Sequence, residues 1–337
     1  MKDTALWLTE ADVAGHVPMD DAIDALERNL IEIADGAAFN VPKALGSLGD
    51  GGGAMHALAS ASPRLGVCGF KTWVHTPNGA KAVFSLFGTQ DGSLLAMMEA
   101  NTLGQIRTSA MTALGTRWLA PAQADDLAIV GTGRQAIAQV HAINAVRPLR
   151  RVRVWSRDTA RRQAFADKLR AGLPQADVTV AGSLEAATDG ASLVTIVTRA
   201  TDPFFEARLL APQAHLNAVG AILPANAEFF PDVFERARAV VVDDLDNARR
   251  GSRELRERYG ADAPQWAGVQ TLSDVIKRGG LTDGGNGDVT LFKAMGMGLS
   301  DLAIAALAYE RASAKAGASR TVPLSANASI RWTKDAA

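Results

Sequence analysis

Apolar positions follow two rhythms along this chain, and the second half alternates between them regularly. From residue 127 onward, short apolar runs at 127–130, Arg151–Trp155, 178–180, 193–197, 216–219 and 240–242 are separated by polar or helical stretches. Runs of that length suit strands, and those with little polar alternation suit strands covered on both faces. The intervening stretches, such as 135–145 with Ile137, Val140 and Ile143 on one side, repeat at helical spacing. Strand–helix alternation of this kind predicts a doubly wound parallel sheet.

The first third reads differently. Asp20-Asp21 precedes a helical face of Ile23, Leu26, Leu30 and Ile33. Residues 41–65 are Gly/Ala-rich and irregular, with strand-like fragments only, while 67–74 reads as a strand that contains Lys71. Two apolar runs, 82–88 and 93–99, flank Asp91-Gly92 and predict a hairpin. Asn101 or Thr102 is the expected cap of a helix to Leu119 that carries Arg107 and Thr108 in its first turns. A polar connector at 121–126 marks a domain boundary. A long helical pattern at 299–314 follows Gly296-Met297-Gly298 and is expected to return to the first domain. The last residues, 315–337, are rich in Ser and Ala and are expected to be partly disordered. The fold class expected is therefore α/β, a Rossmann-type doubly wound parallel sheet domain at 123–298. An α+β domain for substrate binding and dimerisation is expected from 1–122 plus 299–337.

The chemistry concentrates at 127–158. Gly131, Gly133 and Ala136 have the GxGxxG/A spacing between a strand and a helix, with a second strand closing the unit. In that context Gly131 makes the turn and Gly133 lets backbone N–H groups reach a pyrophosphate. Ala136 lets the helix pack close to the strand. Where an acid would take the adenosine ribose 2′-OH, the chain has Ser156-Arg157. A hydroxyl and a guanidinium suit a 2′-phosphate, so NADP(H) is preferred, with Asp158 keeping NAD(H) open.

Composition adds exclusions. In 337 residues, 35 Lys+Arg against 36 Asp+Glu give a net charge of −1, so no nucleic acid or anionic membrane is implied as a partner. A single cysteine, Cys68, rules out an intrachain disulfide and a Cys-based zinc site and fits a reducing cytoplasm. No signal-peptide core or transmembrane run stands out, and no metal site is expected.

Several stretches in order resemble the ornithine cyclodeaminase/mu-crystallin family: GFKTW at 69–73, QDGSLLAMMEANTLGQIRTSA at 90–110, GTGRQA at 131–136, NAVGAILPANAE at 217–228 and VTLFKAMGMGLSDLAIAALAYERA at 289–312. The resemblance spans about residues 8–312. It implies a homodimer and an NAD(P)-binding second domain acting on a small amino or imino acid. Expected cofactor contacts are Thr108, Gly131, Gly133, Arg134, Gln135, Ser156, Arg157, Thr198, Val219 and Gly296.

Arg107 lies at a helix start where a fork of donors and the helix dipole converge for an α-carboxylate, and its neighbours Leu103, Ile106 and Met111 suggest a partly buried setting. Lys71, on an apolar strand, needs a reason to be buried; it holds a carboxylate or exchanges a proton with an imine nitrogen. Lys43 matches a place where relatives have a carboxylate-binding arginine, and lysine there loses the bidentate geometry. His56 is either an acid/base or a packed histidine. Ile222 stands where cyclodeaminases carry a catalytic aspartate, and Asn226 where relatives are often basic; Glu228 is retained, with a structural helix cap as its plain reading. These residues point to reduction of a small ketimine, or interconversion of amino and keto/imino acid, by hydride transfer at the α-carbon. Two alternatives stay open: an ornithine/lysine cyclodeaminase using NAD catalytically, and a non-catalytic mu-crystallin-like NADP-binding protein.

Overall fold

The computed structural model describes residues 4–49, 52–260, 264–282, 285–315 and 320–325. Two sheets organise it. The first is formed by β1 (Thr4–Leu8), β2 (Phe39–Ser47), β3 (Ala54–Ser62), β4 (Val67–Thr76), β5 (Gly79–Gly88), β6 (Leu94–Glu99) and β15 (Arg320–Pro323), in the order β15-β1-β6-β5-β4-β3-β2. All neighbours are antiparallel except β1 and β6.

The irregular-looking stretch at 41–65 is thus two long strands. Small side chains hid their alternation, and Pro42 falls in a register shift between Val41 and Ala44, where its missing N–H costs little. The β5–β6 hairpin forms as expected, with Asp91 Oδ1 accepting from the Ser93 amide at the turn. Within 315–337, where partial disorder is expected, residues 320–323 pair with β1; residues 316–319 and 326–337 lie outside the described residues.

The inner face of this sheet is covered by helices. Helix α2 (Met19–Ala34) turns Ile23, Leu26 and Leu30 into a shared core with Phe84 and Met98 of the sheet. Helix α11 (Gly298–Ala314) packs on α2, β3 and β4, the return predicted for it. Helix α3 (Asn101–Leu119) lies against α2 and α11 and also meets the second sheet. Its start corrects the expected cap: neither Asn101 nor Thr102 caps it. The carboxylate of Glu10, from α1 (Glu10–His16), accepts from both their amides at 3.0 and 2.6 Å. Two of the backbone donors at that helix end are thus satisfied by a side chain about ninety positions away.

The second sheet is parallel throughout: β7 (Asp126–Val130), β8 (Arg151–Trp155), β9 (Asp177–Val180), β10 (Leu193–Ile196), β11 (His215–Ala218), β12 (Ala237–Val242), β13 (Val269–Thr271) and β14 (Val289–Lys293). Their order is β13-β12-β14-β11-β10-β7-β8-β9. The strands run outward from β7 as β8 and β9 on one side and as β10, β11, β14, β12 and β13 on the other, so the order reverses between β7 and β10, where such sheets bind ligands. Both faces are covered. Leu127, Ile129 and Val152 pack on one side, and Val130, Ile196 and Leu216 on the other. That is why these strands read as apolar runs. The strands at 269–271 and 289–293 were not legible, the first for its length and the second because it merges with the apolar helix that follows.

Candidate active site

The turn after β7 meets the loop after β10 at the switch point. Gly131 has φ +111°, and a Cβ there would sit 2.6 Å from the Val197 carbonyl oxygen, so only glycine fits. Gly133 faces open space, and the amides of Gly133 and Arg134 have no acceptor among the described residues. Helix α4 (Ala136–Val146) begins directly after Gln135, whose Oε1 is buried without a partner. Free amides at a helix N-terminus fit a dinucleotide's pyrophosphate.

At the end of β8, Thr132 Oγ1 donates to Ser156 Oγ at 3.2 Å, and Arg157 is exposed. Asp158 is committed elsewhere. It caps α5 (Thr159–Gly172) by accepting from the Arg161 amide at 3.0 Å and pairs with the Arg161 side chain.

The loops after β10 and β11 are tied by Glu228, which is no helix cap. Its Oε1 accepts from the Thr198 amide and hydroxyl, both at 2.7 Å, and its Oε2 from the amides of Gly220 and Ala221. Burial pushes its carboxyl up, partly offset by Lys293. Lys293 itself is paired at 3.1 Å with buried Glu254. Thr198 and Val219 are thereby held at the sheet's carboxyl edge, where a nicotinamide would lie, and Ile222 follows, partly exposed.

Across from this edge, three cations converge. Lys71 points to the inner face of β4 and is 6 % exposed; its Nζ lies 3.0 Å from Asp301 Oδ1. Arg107, in the second turn of α3, brings Nε to 3.3 Å from the same oxygen, and its Nη groups have no acceptor among the described residues. The amides at the start of α3 face Glu10 rather than the Arg107 side chain. Burial, then Arg107, pushes the Lys71 ammonium down, and Asp301 pulls it back up. Lys43, at the register shift of β2, is half-buried, and burial together with Arg107 and Lys71 pushes it down too.

Thr108 spends its hydroxyl on the Gly104 carbonyl at 2.7 Å. Gly296, expected at the cofactor, lies directly behind Arg107: at φ +83°, a Cβ would come within 2.9 Å of Nη1. Its amide and that of Met295 donate to buried Asp243, and Asn247 donates to its carbonyl.

Sequence reasoning missed Asp301 and Asp243. Asp301 was the only acid in the apolar first half of α11, a signal that is ambiguous, since acids at helix starts usually serve the dipole.

A parallel sheet with its glycine turn at the switch point defines the dinucleotide-binding class of α/β proteins. A model of the ornithine cyclodeaminase/mu-crystallin family matches residues 3–316. The rat ketimine reductase mu-crystallin is 32% identical over 225 residues, covering 67% of each chain. A Bacillus cereus delta(1)-pyrroline-2-carboxylate reductase is 28% identical over 269 residues, covering 76% of this chain and 80% of its own. The solved structure of the Thermococcus litoralis delta(1)-pyrroline-2-carboxylate reductase with NADH and L-proline shares the fold, with a TM-score of 0.85 at 22% identity over 92% of this chain and 98% of that one. The chain belongs to the ornithine cyclodeaminase/mu-crystallin family.

Proposed function

We propose that the chain reduces the C=N bond of a small α-imino acid, with NADPH preferred over NADH. The observation that carries the reading is the sharing of Asp301 by Lys71 and Arg107 while the Arg107 Nη groups have no acceptor among the described residues. A free guanidinium fork beside a buried ammonium suits an α-carboxylate, and Lys71 is placed to give a proton to nitrogen. The bound dinucleotide supplies the hydride. Relatives named as ketimine and pyrroline-2-carboxylate reductases support this reaction class.

Ile222 offers no carboxylate for a distal amine, which counts against ornithine cyclisation; the intact cation set counts against pure binding. Stoichiometry separates them. Imine reduction consumes one NADPH per amine formed, whereas cyclisation of ornithine releases ammonia with no net change in cofactor. Ammonia and proline from ornithine with substoichiometric NAD would reverse the assignment.

The NADPH preference rests on Ser156 and Arg157 beside Thr132, with Asp158 occupied as a cap. We also infer a cytoplasmic homodimer. The outer face of the first sheet carries Val41, Phe70 and Val74 at 43, 47 and 44% exposure, with the ladder pairing Phe70 to Ser85 and Ser85 to Met97 on the same face. A continuous apolar sheet face of that kind is normally covered by a partner. Cys68 is free, and no described helix is long and apolar enough to cross a membrane.

A further inference from the structure

Three charged side chains that the proposed reaction does not use lie buried beneath the carboxyl edge of the second sheet: Glu228, Glu254 and Lys293. Buried charges are costly unless paired and hydrogen-bonded, and here every one is engaged. Glu254, at the start of α9 (Arg253–Tyr259), accepts at Oε1 from Lys293 Nζ at 3.1 Å and from the backbone amide of Glu228 at 3.0 Å. Its Oε2 accepts from the Ser252 hydroxyl at 2.9 Å. The Lys293–Glu254 pair thus holds the backbone of Glu228 from the interior. The Glu228 carboxylate in turn takes four donors, two from Thr198 and one each from Gly220 and Ala221, which fills its accepting capacity.

This arrangement decides which polar groups the loops after β10 and β11 keep for a ligand. A Cβ at Gly220 would fall 2.3 Å from Glu228 Oε1, so the carboxylate can come this close only to a glycine. The amides of Thr198, Gly220 and Ala221 are all spent on it. The carbonyl oxygens of Thr198, Val219 and Gly220, by contrast, accept from no group among the described residues. The edge therefore changes character along its length. Free amides at Gly133 and Arg134 suit a pyrophosphate, and free carbonyl oxygens over β10 and β11 suit a donor. With Ser156 and Arg157 at the end of β8, on the other side of β7, the second half of a dinucleotide extends over β10 and β11. The nicotinamide carboxamide is the N–H donor of that half.

We propose that Glu228 is the positioning residue for the nicotinamide half of the cofactor: it gathers the two loops by their amides, and the carbonyl oxygens left on those loops receive the carboxamide N–H groups. This rests on the dinucleotide-binding reading and deepens it.

The test is equilibrium titration of the full chain with NADPH and with 2′,5′-ADP, which lacks the nicotinamide half. Glu228→Gln keeps the side chain's shape but turns an N–H group toward backbone amides. It is expected to weaken NADPH binding by about tenfold or more and 2′,5′-ADP binding by less than about twofold. The parent should also bind NADP+ about tenfold more tightly than the analogue carrying nicotinic acid, whose carboxylate has no N–H to donate, and the variant should discriminate less. Thr198→Val removes one donor and keeps every charge; it should shift the NADPH to 2′,5′-ADP ratio in the same direction by about threefold, and it decides the matter if the Gln variant does not fold. Equal weakening of NADPH and 2′,5′-ADP, or unchanged NADPH binding, would overturn the role of Glu228 while leaving the dinucleotide reading intact. A parent that binds neither ligand would overturn both.

Discussion

Lys71 and Asp301 lie 230 positions apart in sequence and meet at 3.0 Å, both buried. The lysine comes from the middle of the first sheet, and the aspartate from a helix the chain reaches only after completing the nucleotide sheet. Asp301 opposes the loss of charge that burial favours at Lys71, and its Oδ1 also lies 3.3 Å from Arg107 Nε. Removing one partner of such a pair costs about 3–5 kcal/mol when the other stays charged, so the lysine is expected to shed its proton instead.

Asp301→Asn is therefore expected to move the alkaline limb of the kcat/KM profile to lower pH, because the group that raises the Lys71 pKa is gone while burial still lowers it. The loss at mildly alkaline pH should be roughly tenfold to a hundredfold, with NADPH affinity within a few-fold. A loss of the same size at every pH would assign Asp301 to packing alone.

Arg107→Lys should not rescue the parent activity, because an ammonium cannot match the planar fork. Hydrogen bonds to charged groups contribute about 1.5–3 kcal/mol each, so kcat/KM should fall roughly tenfold to a hundredfold or more. An amide analogue of the substrate should react poorly with the parent and be less disfavoured by the variant. Parent-like turnover with intact acid-over-amide preference would move the carboxylate to Lys71 or Lys43.

Arg157→Ala should weaken NADPH binding by about tenfold or more and NADH binding by far less, since only the 2′-phosphate gains a charged partner there. Equilibrium titration of both cofactors checks this; equal affinity of the parent for the two would remove the basis for an NADP preference.

Asp243 gives a pH signature. Burial raises its carboxyl from 3.8 to about 6, against the amides of Met295 and Gly296. The folded state then binds more protons than the unfolded state between those values, so stability from this group falls as pH rises through the window and stays reduced above it. The displacement corresponds to about 3 kcal/mol as an order of magnitude. Asp243→Asn cannot titrate, so urea unfolding should show the variant gaining on the parent from about pH 4 to 6. Parallel stability curves across that range would show that Asp243 does not titrate in it. KM for the imine should rise as well, because asparagine has one acceptor for two amides beneath Gly296.

Light scattering should report a dimer at micromolar concentration, and Phe70→Asp with Val74→Asp should give a monomer by placing charge on the outer sheet face. A monomeric parent would leave that face unexplained.

The nucleotide sheet was legible because its signals are local. Burial on both faces writes strands as apolar runs, and the turn at Gly131 needs a residue without a Cβ within a few positions of its strand. The helices α2 and α11 were legible for the same reason, each from its own apolar spacing. The residue types of the candidate site were legible too, since a lysine on an apolar strand and an arginine in an apolar helix each ask for a partner. Which partner was not. β2 and β3 hide in small residues whose burial depends on the helices above them. The cap of α3 is a carboxylate from another helix, and Asp301, Asp243 and the ring of His56 stacked on Trp73 join positions that only the tertiary structure brings together. Local patterning decides where elements begin and which face is apolar; the pairing of buried charges is set by distance in space, which sequence separation does not encode.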